Sequence, residues 1–124
     1  MAQFIRLVGF ALLLSMSLGS VMSAENFDGL YYDEGQSYLC NDKLYHPFMT
    51  NGLSLIDGNK YLRTESSCEF SNPINVQGLH AVLIDVECMS EGEAHNFRMM
   101  LLKADEGIYH ITKEAIIFRK RCLP

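Results

Sequence analysis

Residues 68–88 read CEFSNPINVQGLHAVLIDVEC, two apolar runs that are separated by a Gln-Gly pair at 77–78 and bounded by cysteines. Each run alternates with period two, which is typical of β-strands, and glycine readily supplies the positive φ of a tight turn. Folding the segment about the Gln-Gly pair places Cys68 within one position of Cys88, and directly opposite it if the turn or Pro73 contains one extra residue. The stretch therefore predicts an antiparallel hairpin that brings two cysteines together.

The same alternation indicates where the two sulfurs point. Cys88 shares a strand face with Val86 and Ile84, and Cys68 shares a face with Phe70. Because both faces are apolar, both sulfurs are expected to point toward the same core. A Cys68–Cys88 disulfide is therefore the first choice.

The first 24 residues have the features of a secretory signal peptide. A single cation, Arg6, precedes an apolar stretch of about a dozen residues, and small residues follow before Glu25. The apolar stretch is too short to span the roughly 30 Å hydrocarbon core comfortably. We therefore expect residues 1–24 to be a signal peptide and residues 25–124 to form a single secreted β domain in the periplasm.

Cys40 and Cys122 are the other two cysteines of the chain. An even number of cysteines in an exported chain is typical of disulfides, and the close C-x-x-C pairs of zinc sites are missing. A Cys40–Cys122 bridge would join the first predicted strand to the last, as a closed antiparallel barrel requires. Four cysteines allow three connectivities, and the nested one is preferred here.

The secreted part reads as short strands punctuated by glycine-containing turns, without long helical periodicity. The predicted strands are Gln36 to Asn41, Leu53 to Ile56, Lys60 to Thr64, Ser67 to Val76, Leu79 to Met89, His95 to Lys103, Ile108 to Thr112 and Ala115 to Cys122. Together with the cysteines, they predict an all-β fold. We expect a small antiparallel β-barrel or sandwich of about seven to eight strands, crosslinked by two disulfides. In the last strand, Cys122 is expected to face the core together with Phe118 and Ile116.

The chain is acidic, with 10 Lys and Arg against 15 Asp and Glu. Removal of the signal peptide takes away only Arg6, which leaves nine cations against fifteen acids and a formal charge of −6. Such a surface argues against binding to nucleic acid or, once the signal is removed, to an anionic membrane. It favours a cationic partner, and the alternative is that the acidic surface only keeps the protein in solution, which is the preferred interpretation.

The stretch CMSEGEAHNF, residues 88–97, is the best candidate for site chemistry because it gathers Glu91, Glu93 and His95 around a glycine. It lacks the Asp/Asn spacing and the terminal bidentate glutamate of known calcium loops. No nucleophile motif, phosphate loop or paired-histidine spacing occurs in the chain. We therefore expect a solvated turn whose Glu91 and Glu93 present negative charge to a partner, with no catalytic residue, no metal and no cofactor.

Arg119, Lys120 and Arg121 make the predicted last strand cationic. Two interpretations fit this segment. It could bind an anionic glycan or phosphate, or its charges could protect an exposed sheet edge from pairing with other chains. Edge protection is the preferred interpretation.

Three segments together resemble a set of small secreted alphaproteobacterial four-cysteine β proteins that includes periplasmic inhibitors of lysozyme-like peptidoglycan hydrolases. They are YLRTESSC at 61–68, CMSEGE at 88–93 and the Arg-Cys pair at 121–122. The family's usual tryptophan near the first cysteine is replaced here by Tyr31 or Tyr32. The resemblance implies a non-enzymatic protein that binds such a hydrolase.

Asp57-Gly58-Asn59-Lys60-Tyr61 is similar to the Ser-Gly-x-Lys-Tyr loop of the β-barrel inhibitors of c-type lysozyme, with aspartate in place of serine. The similarity implies that Lys60 pairs with a catalytic carboxylate of the enzyme and that Tyr61 fills a sugar subsite. The alternative for Asp57 and Gly58 is a plain hairpin turn. The residues that the sequence predicts to contact a partner are therefore Asp57, Lys60, Tyr61, Glu91 and Glu93.

The leading functional hypothesis is a periplasmic inhibitor that occludes the cleft of a cationic peptidoglycan hydrolase or lysozyme. The first alternative is an envelope module that binds a small ligand, glycan or cation. The second alternative is a structural or assembly factor.

Overall fold

The computed structural model describes residues 27–41 and 43–123, which form eight β-strands and one short 3-10 helix. The predicted signal peptide, residues 1–24, lies outside the described residues. The strands are β1 Gly29–Tyr32, β2 Leu53–Asp57, β3 Lys60–Arg63, β4 Ser66–Asn75, β5 Ala81–Ser90, β6 Glu93–Lys103, β7 Gly107–Ile111 and β8 Ile116–Arg121. The 3-10 helix spans Ser37–Asn41.

Each strand pairs antiparallel with the next along the chain, and β8 pairs with β1. The sheet is therefore a closed eight-stranded barrel, and the predicted all-β fold is confirmed as a barrel rather than a sandwich. Closure gives both outer strands a partner, which removes the exposed edges that an open sheet would present.

The 68–88 hairpin has the predicted register, with Cys68 directly opposite Cys88 and a disulfide between them. The extra residue lies on β4, where the register shifts between Ser71 and Ile74 around Pro73. Near the turn, Asn75 pairs with Val82, so the turn is centred later than the Gln-Gly pair. The bulge offsets part of this shift, and the two cysteines meet.

The second disulfide, Cys40–Cys122, is also present. Cys40 belongs to the 3-10 helix and not to a strand, so the predicted strand at 36–41 is wrong. The first strand is β1, which the sequence pattern did not predict. The bridge therefore ties the segment that follows β1 to the end of β8, where the Cys122 amide donates a hydrogen bond to the Leu30 carbonyl. Two disulfides are consistent with folding in an oxidising compartment.

The barrel interior is filled by apolar and aromatic side chains from most of the strands. Tyr31 and Tyr61 are the largest side chains that are fully buried. The Tyr31 hydroxyl donates a 2.6 Å hydrogen bond to the Phe27 carbonyl, so the buried phenol is satisfied. The core residues are Phe27, Tyr31, Ile56, Tyr61, Cys68, Phe70, Val82, Ile84, Val86, Cys88, Met99, Leu101 and Ile108.

The strands differ in length, and this difference shapes one end of the barrel. The β4, β5 and β6 strands have 10, 10 and 11 residues, whereas β7 has 5. On its β6 side, the β7 strand pairs only with Met100–Lys103. Residues 93–99 of β6 therefore extend past the end of β7, at the end of the barrel where the turns 64–65 and 91–92 also lie.

Candidate ligand site at the barrel mouth

A cavity of about 680 Å³ opens beside the free part of β6. One wall is residues 96–99 of β6, and the opposite wall is the β7–β8 turn at 112–115. Tyr61 and Arg63 of β3 line it from across the barrel. The cavity is therefore the open mouth of the barrel, continuous with its interior.

The deep part of the cavity is apolar and aromatic. Tyr61 is 1% exposed and stacks on Phe70, with 5.5 Å between ring centroids. Met99 is buried, and Phe97 packs partly buried against the core. A flat or aliphatic group in this space would contact carbon on several sides and would lose apolar surface to water, which is favourable.

Three cations surround the cavity, against a single acid, Glu114. They are Arg63, Lys113 and Arg119, and together they define the basic mouth. Arg119 is paired with Asp33, whereas the side chain of Arg98 lies on the outer face, 3.8 Å from an Asp85 oxygen. Within residues 27–41 and 43–123, Arg63 and Lys113 have no carboxylate partner. The mouth is thus locally positive on a chain whose formal charge is −5.

His110 lies in the cavity wall between these groups and is 5% exposed. Its ring centroid is 5.6 Å from that of Tyr61. Burial, and then the charges of Arg119 and Arg63, lower the pKa of His110 from 6.5 to about 3. The imidazole is therefore neutral at neutral pH and offers one N–H donor and one nitrogen acceptor.

Two buried nitrogen atoms of the cavity lining have no hydrogen-bond partner among the described residues. They are Nε2 of His110 and Nε of Arg119. Arg119 has a side chain only 12% exposed, and it is held by the ion pair with Asp33 through Nη1. The mouth therefore contains hydrogen-bonding capacity that the protein itself leaves unused.

The position of Arg119 contradicts the expected face of the last strand. Strand pairing places Ile117 opposite His110 and Arg119 opposite the buried Ile108, so Ile117 and Arg119 share the inner face. Ile116, predicted to face the core with Phe118 and Cys122, is 69% exposed. The apolar residues of this strand are consecutive, so hydrophobicity did not identify the inner face, and tertiary partners decided it.

Phe118 likewise belongs to the outer face, where its ring lies 4.8 Å from that of the exposed Tyr109. The β8 strand pairs with β7 and, at Lys120 and Arg121, also with β1, which closes the barrel. The expected role in protecting an edge is therefore wrong for Lys120 and Arg121, and Arg119 instead pairs with Asp33.

The close approach of β7 and β8 depends on Gly107. A Cβ atom placed there would lie 2.0 Å from the Arg119 carbonyl oxygen. Only glycine permits this contact, because the neighbour is backbone and cannot turn aside. Gly107 thereby helps to hold Arg119 in the wall of the cavity.

The residues expected from the sequence to bind a partner are separated by the barrel. Asp57 and Lys60 are exposed at the β2–β3 turn, where the Gly58 amide donates to the Asp28 carboxylate. Glu91 and Glu93 are exposed at the β5–β6 turn. In an up-and-down barrel these two turns lie at opposite ends, and the fifth residue, Tyr61, points its ring into the cavity instead of outward.

The Glu91–Glu93 turn holds a weak contact of 3.9 Å between His95 Nε2 and Glu93, and both side chains are largely exposed. In the part of the chain that the structure describes, no group of three or more His, Cys, Asp or Glu side chains is arranged to hold a metal ion.

Glutamates nonetheless concentrate on the outside of the barrel near this turn. Glu69 and Glu87 are exposed and directly opposite each other on β4 and β5. Glu65 lies close by, because its carbonyl accepts a hydrogen bond from the Ser90 hydroxyl. We call Glu65, Glu69, Glu87, Glu91 and Glu93 the acidic outer face. Like charges directly opposite each other are destabilising, so this arrangement weakens the local pairing.

Sequence reasoning did not assign His110, Arg63 or Arg119 to a common site. A signal existed for His110, since it alternates with Ile108 and therefore lies on the apolar face of its strand.

The described residues contain no helix of the length and apolarity needed to cross a membrane. No family model, no curated protein and no solved structure matches the chain.

Proposed function

We propose that this chain is a secreted, non-enzymatic binding protein that holds a small molecule in the mouth of its barrel. The observation that carries the proposal is the pair of buried nitrogens without partners, His110 Nε2 and Arg119 Nε, in the wall of an open cavity of about 680 Å³. An unsatisfied buried polar group costs roughly 1–3 kcal/mol. A bound molecule with a matching polar atom would recover part of that energy once a small side-chain shift brings the nitrogen to the cavity surface.

The scaffold supports this role. Eight-stranded barrels have an interior that either is filled by side chains or holds one small ligand. Here one end is filled by Tyr31 and Phe27, while the other is open beside β6. Ligand sites of roughly 300–1,000 Å³ that combine an apolar lining with a few polar groups are common. The sequence of residues 1–24 and the two disulfides support a periplasmic location.

The test is isothermal titration calorimetry on the secreted domain with N-phenylnaphthylamine and with anilinonaphthalene sulfonate, which share one ring system. Binding of at least one probe with a single site is expected. Ile117→Trp should abolish it by filling the mouth, whereas the matched control Ile116→Trp, on the outer face of the same strand, should leave it unchanged. Binding of neither probe, or equal binding to both variants, would contradict the proposal.

Inhibition of a cationic peptidoglycan hydrolase is a second candidate, favoured by the acidic outer face. Clustered carboxylates speed encounter with a basic enzyme, and their effect weakens as salt rises. Exposed Lys60 borders this face, because it lies directly opposite Glu69 on the neighbouring strand, and we expect it to pair with an enzyme carboxylate.

A lysozyme turbidity assay with excess secreted domain tests this candidate. Inhibition that falls in Glu91→Gln/Glu93→Gln but persists in Ile117→Trp would assign it to the outer face and not to the cavity. Undiminished lysis across several hydrolases would remove the candidate.

A further inference from the structure

We propose that the ligand of the barrel mouth is a small organic anion, a carboxylate or sulfonate attached to an apolar body. The inference rests on the proposed function and adds the chemical class of the ligand. It follows from the charges, the unused hydrogen-bond donors and the composition of the cavity lining.

Charge is the first argument. Three cations line the basic mouth against one acid, and two of the cations, Arg63 and Lys113, have no carboxylate partner in the described ranges 27–41 and 43–123. A cationic ligand would enter a positive field and be repelled. An anion would relieve the mutual repulsion of these side chains, and Coulomb attraction near a partly buried site is stronger than in bulk water.

The unused donors are the second argument. Arg119 gives Nη1 to Asp33 and keeps Nε in the wall without a partner. An arginine N–H donates and never accepts, so its complement must carry an acceptor oxygen. His110, neutral and 5% exposed, can place its N–H on Nε2 and donate to the same anionic group. Charge-assisted hydrogen bonds of this type are about twice as strong as neutral ones.

The lining supplies the third argument, which separates an organic anion from an inorganic one. Tyr61, Phe97, Met99 and Ile117 line the same cavity as the charged groups. Phosphate would use the donors but would leave this carbon surface uncovered. A molecule with an anionic head and an aromatic or aliphatic body would satisfy both parts of the lining.

Titration with the same two probes separates the inference from the proposed function, because N-phenylnaphthylamine is neutral and anilinonaphthalene sulfonate carries one negative charge on the same rings. The sulfonate is expected to bind at least tenfold more tightly. Arg63→Gln and Lys113→Gln should each weaken its binding several-fold and leave the neutral probe unaffected. Lys103→Gln, an exposed cation outside the cavity, is the matched control and should change neither affinity.

Equal affinity for the two probes, with both lost in Ile117→Trp, would overturn the inference and leave the ligand site in place. An unchanged sulfonate affinity in Arg63→Gln and Lys113→Gln would also overturn it. Absence of binding of both probes to the unmodified protein would instead remove the proposed function itself. Competition by millimolar phosphate as strong as that of benzoate would contradict the need for an apolar body. Circular dichroism and melting temperature verify that each variant folds.

Discussion

The acidic outer face and the basic mouth lie at the same end of the barrel, yet their charges have opposite sign. The outer face carries five glutamates on and beside β4, β5 and β6, whereas the mouth carries three cations, on β3, on β8 and in the β7–β8 turn. The formal charge of −5 is the sum over the whole chain and hides this difference. The sign of the net charge therefore does not indicate the sign of the ligand that the cavity accepts.

The two regions also differ in how their charges are held. Glu69 and Glu87 face each other at a cost to strand pairing, and Lys60 lies opposite Glu69 on its other side. In the mouth, the Arg119 side chain is only 12% exposed and is anchored by Asp33. Charges on the outer face are thus replaceable one by one, while Arg119 is coupled to the fold.

The largest effects are expected from the two disulfides. On the chain-entropy model, Cys40→Ser/Cys122→Ser should lower the free energy of unfolding by about 4.5 kcal/mol and Cys68→Ser/Cys88→Ser by about 3 kcal/mol, because the first closes the longer loop. Urea unfolding of both double variants measures the difference. A larger loss from the Cys68–Cys88 pair would show that local packing outweighs loop length.

The next effect concerns the basic mouth alone. The pKa of His110 is about 3 in the folded chain, against 6.5 for an unperturbed histidine, so between these values the unfolded chain binds one more proton. Stability should therefore fall as the pH drops, by about 2 kcal/mol from about pH 7 to about pH 5. Urea unfolding at several pH values should show this dependence of the free energy of unfolding on pH in the parent and in His80→Gln, an exposed control. In His110→Phe, which has no imidazole to titrate, the number of protons taken up on unfolding should fall by one.

An effect of comparable size is expected where β7 meets β8. Gly107→Ala would force its Cβ against the Arg119 carbonyl, and such overpacking costs roughly 1–3 kcal/mol. Displacement of Arg119 should also weaken binding of anilinonaphthalene sulfonate several-fold. Thermal unfolding and calorimetry on one sample measure both. A loss of stability with unchanged sulfonate affinity would separate Arg119 from the ligand.

The smallest effect sharpens the contrast from the outer side. Glu87→Lys places a cation opposite Glu69 and should raise the free energy of unfolding by roughly 0.2–1 kcal/mol. It should leave anilinonaphthalene sulfonate binding unchanged. Asp105→Lys, in an exposed turn, controls for the change in net charge. Equal stabilisation by both variants would attribute the gain to net charge and not to the opposed pair.

The parts of the fold that could be predicted were those defined by local alternation. The 68–88 hairpin was correct because period two fixes the faces of its strands and the cysteines fix its register. The strand β1 was missed because Gly29–Tyr32 is too short to alternate and lies before a turn-like run. Cys40 was wrongly placed in a strand because the neighbouring apolar residue, Leu39, suggested one, whereas the segment forms a 3-10 helix.

The candidate site could not be predicted from the sequence because its residues belong to four strands and a turn. Arg63, Met99, His110 and Arg119 are unrelated in the chain and meet only when the barrel closes. The inner face of β8 could have been inferred from Arg119 only with the pairing partner His110 already known. The sequence pattern predicted Tyr61 as a surface contact for a partner, but its ring is 1% exposed and points inward. One strand position decides between a surface contact and a cavity wall.

The short β7 has a consequence for exchange between the cavity and solvent. Because β7 ends beside Met100, the turn at 112–115 forms the low side of the cavity opening. The Thr112 hydroxyl holds this turn by accepting hydrogen bonds from the Glu114 and Ala115 amides. Lengthening β7 and β8 by two residues each would extend this side across the opening, and the barrel would then release a bound ligand more slowly without any change in the groups that contact it.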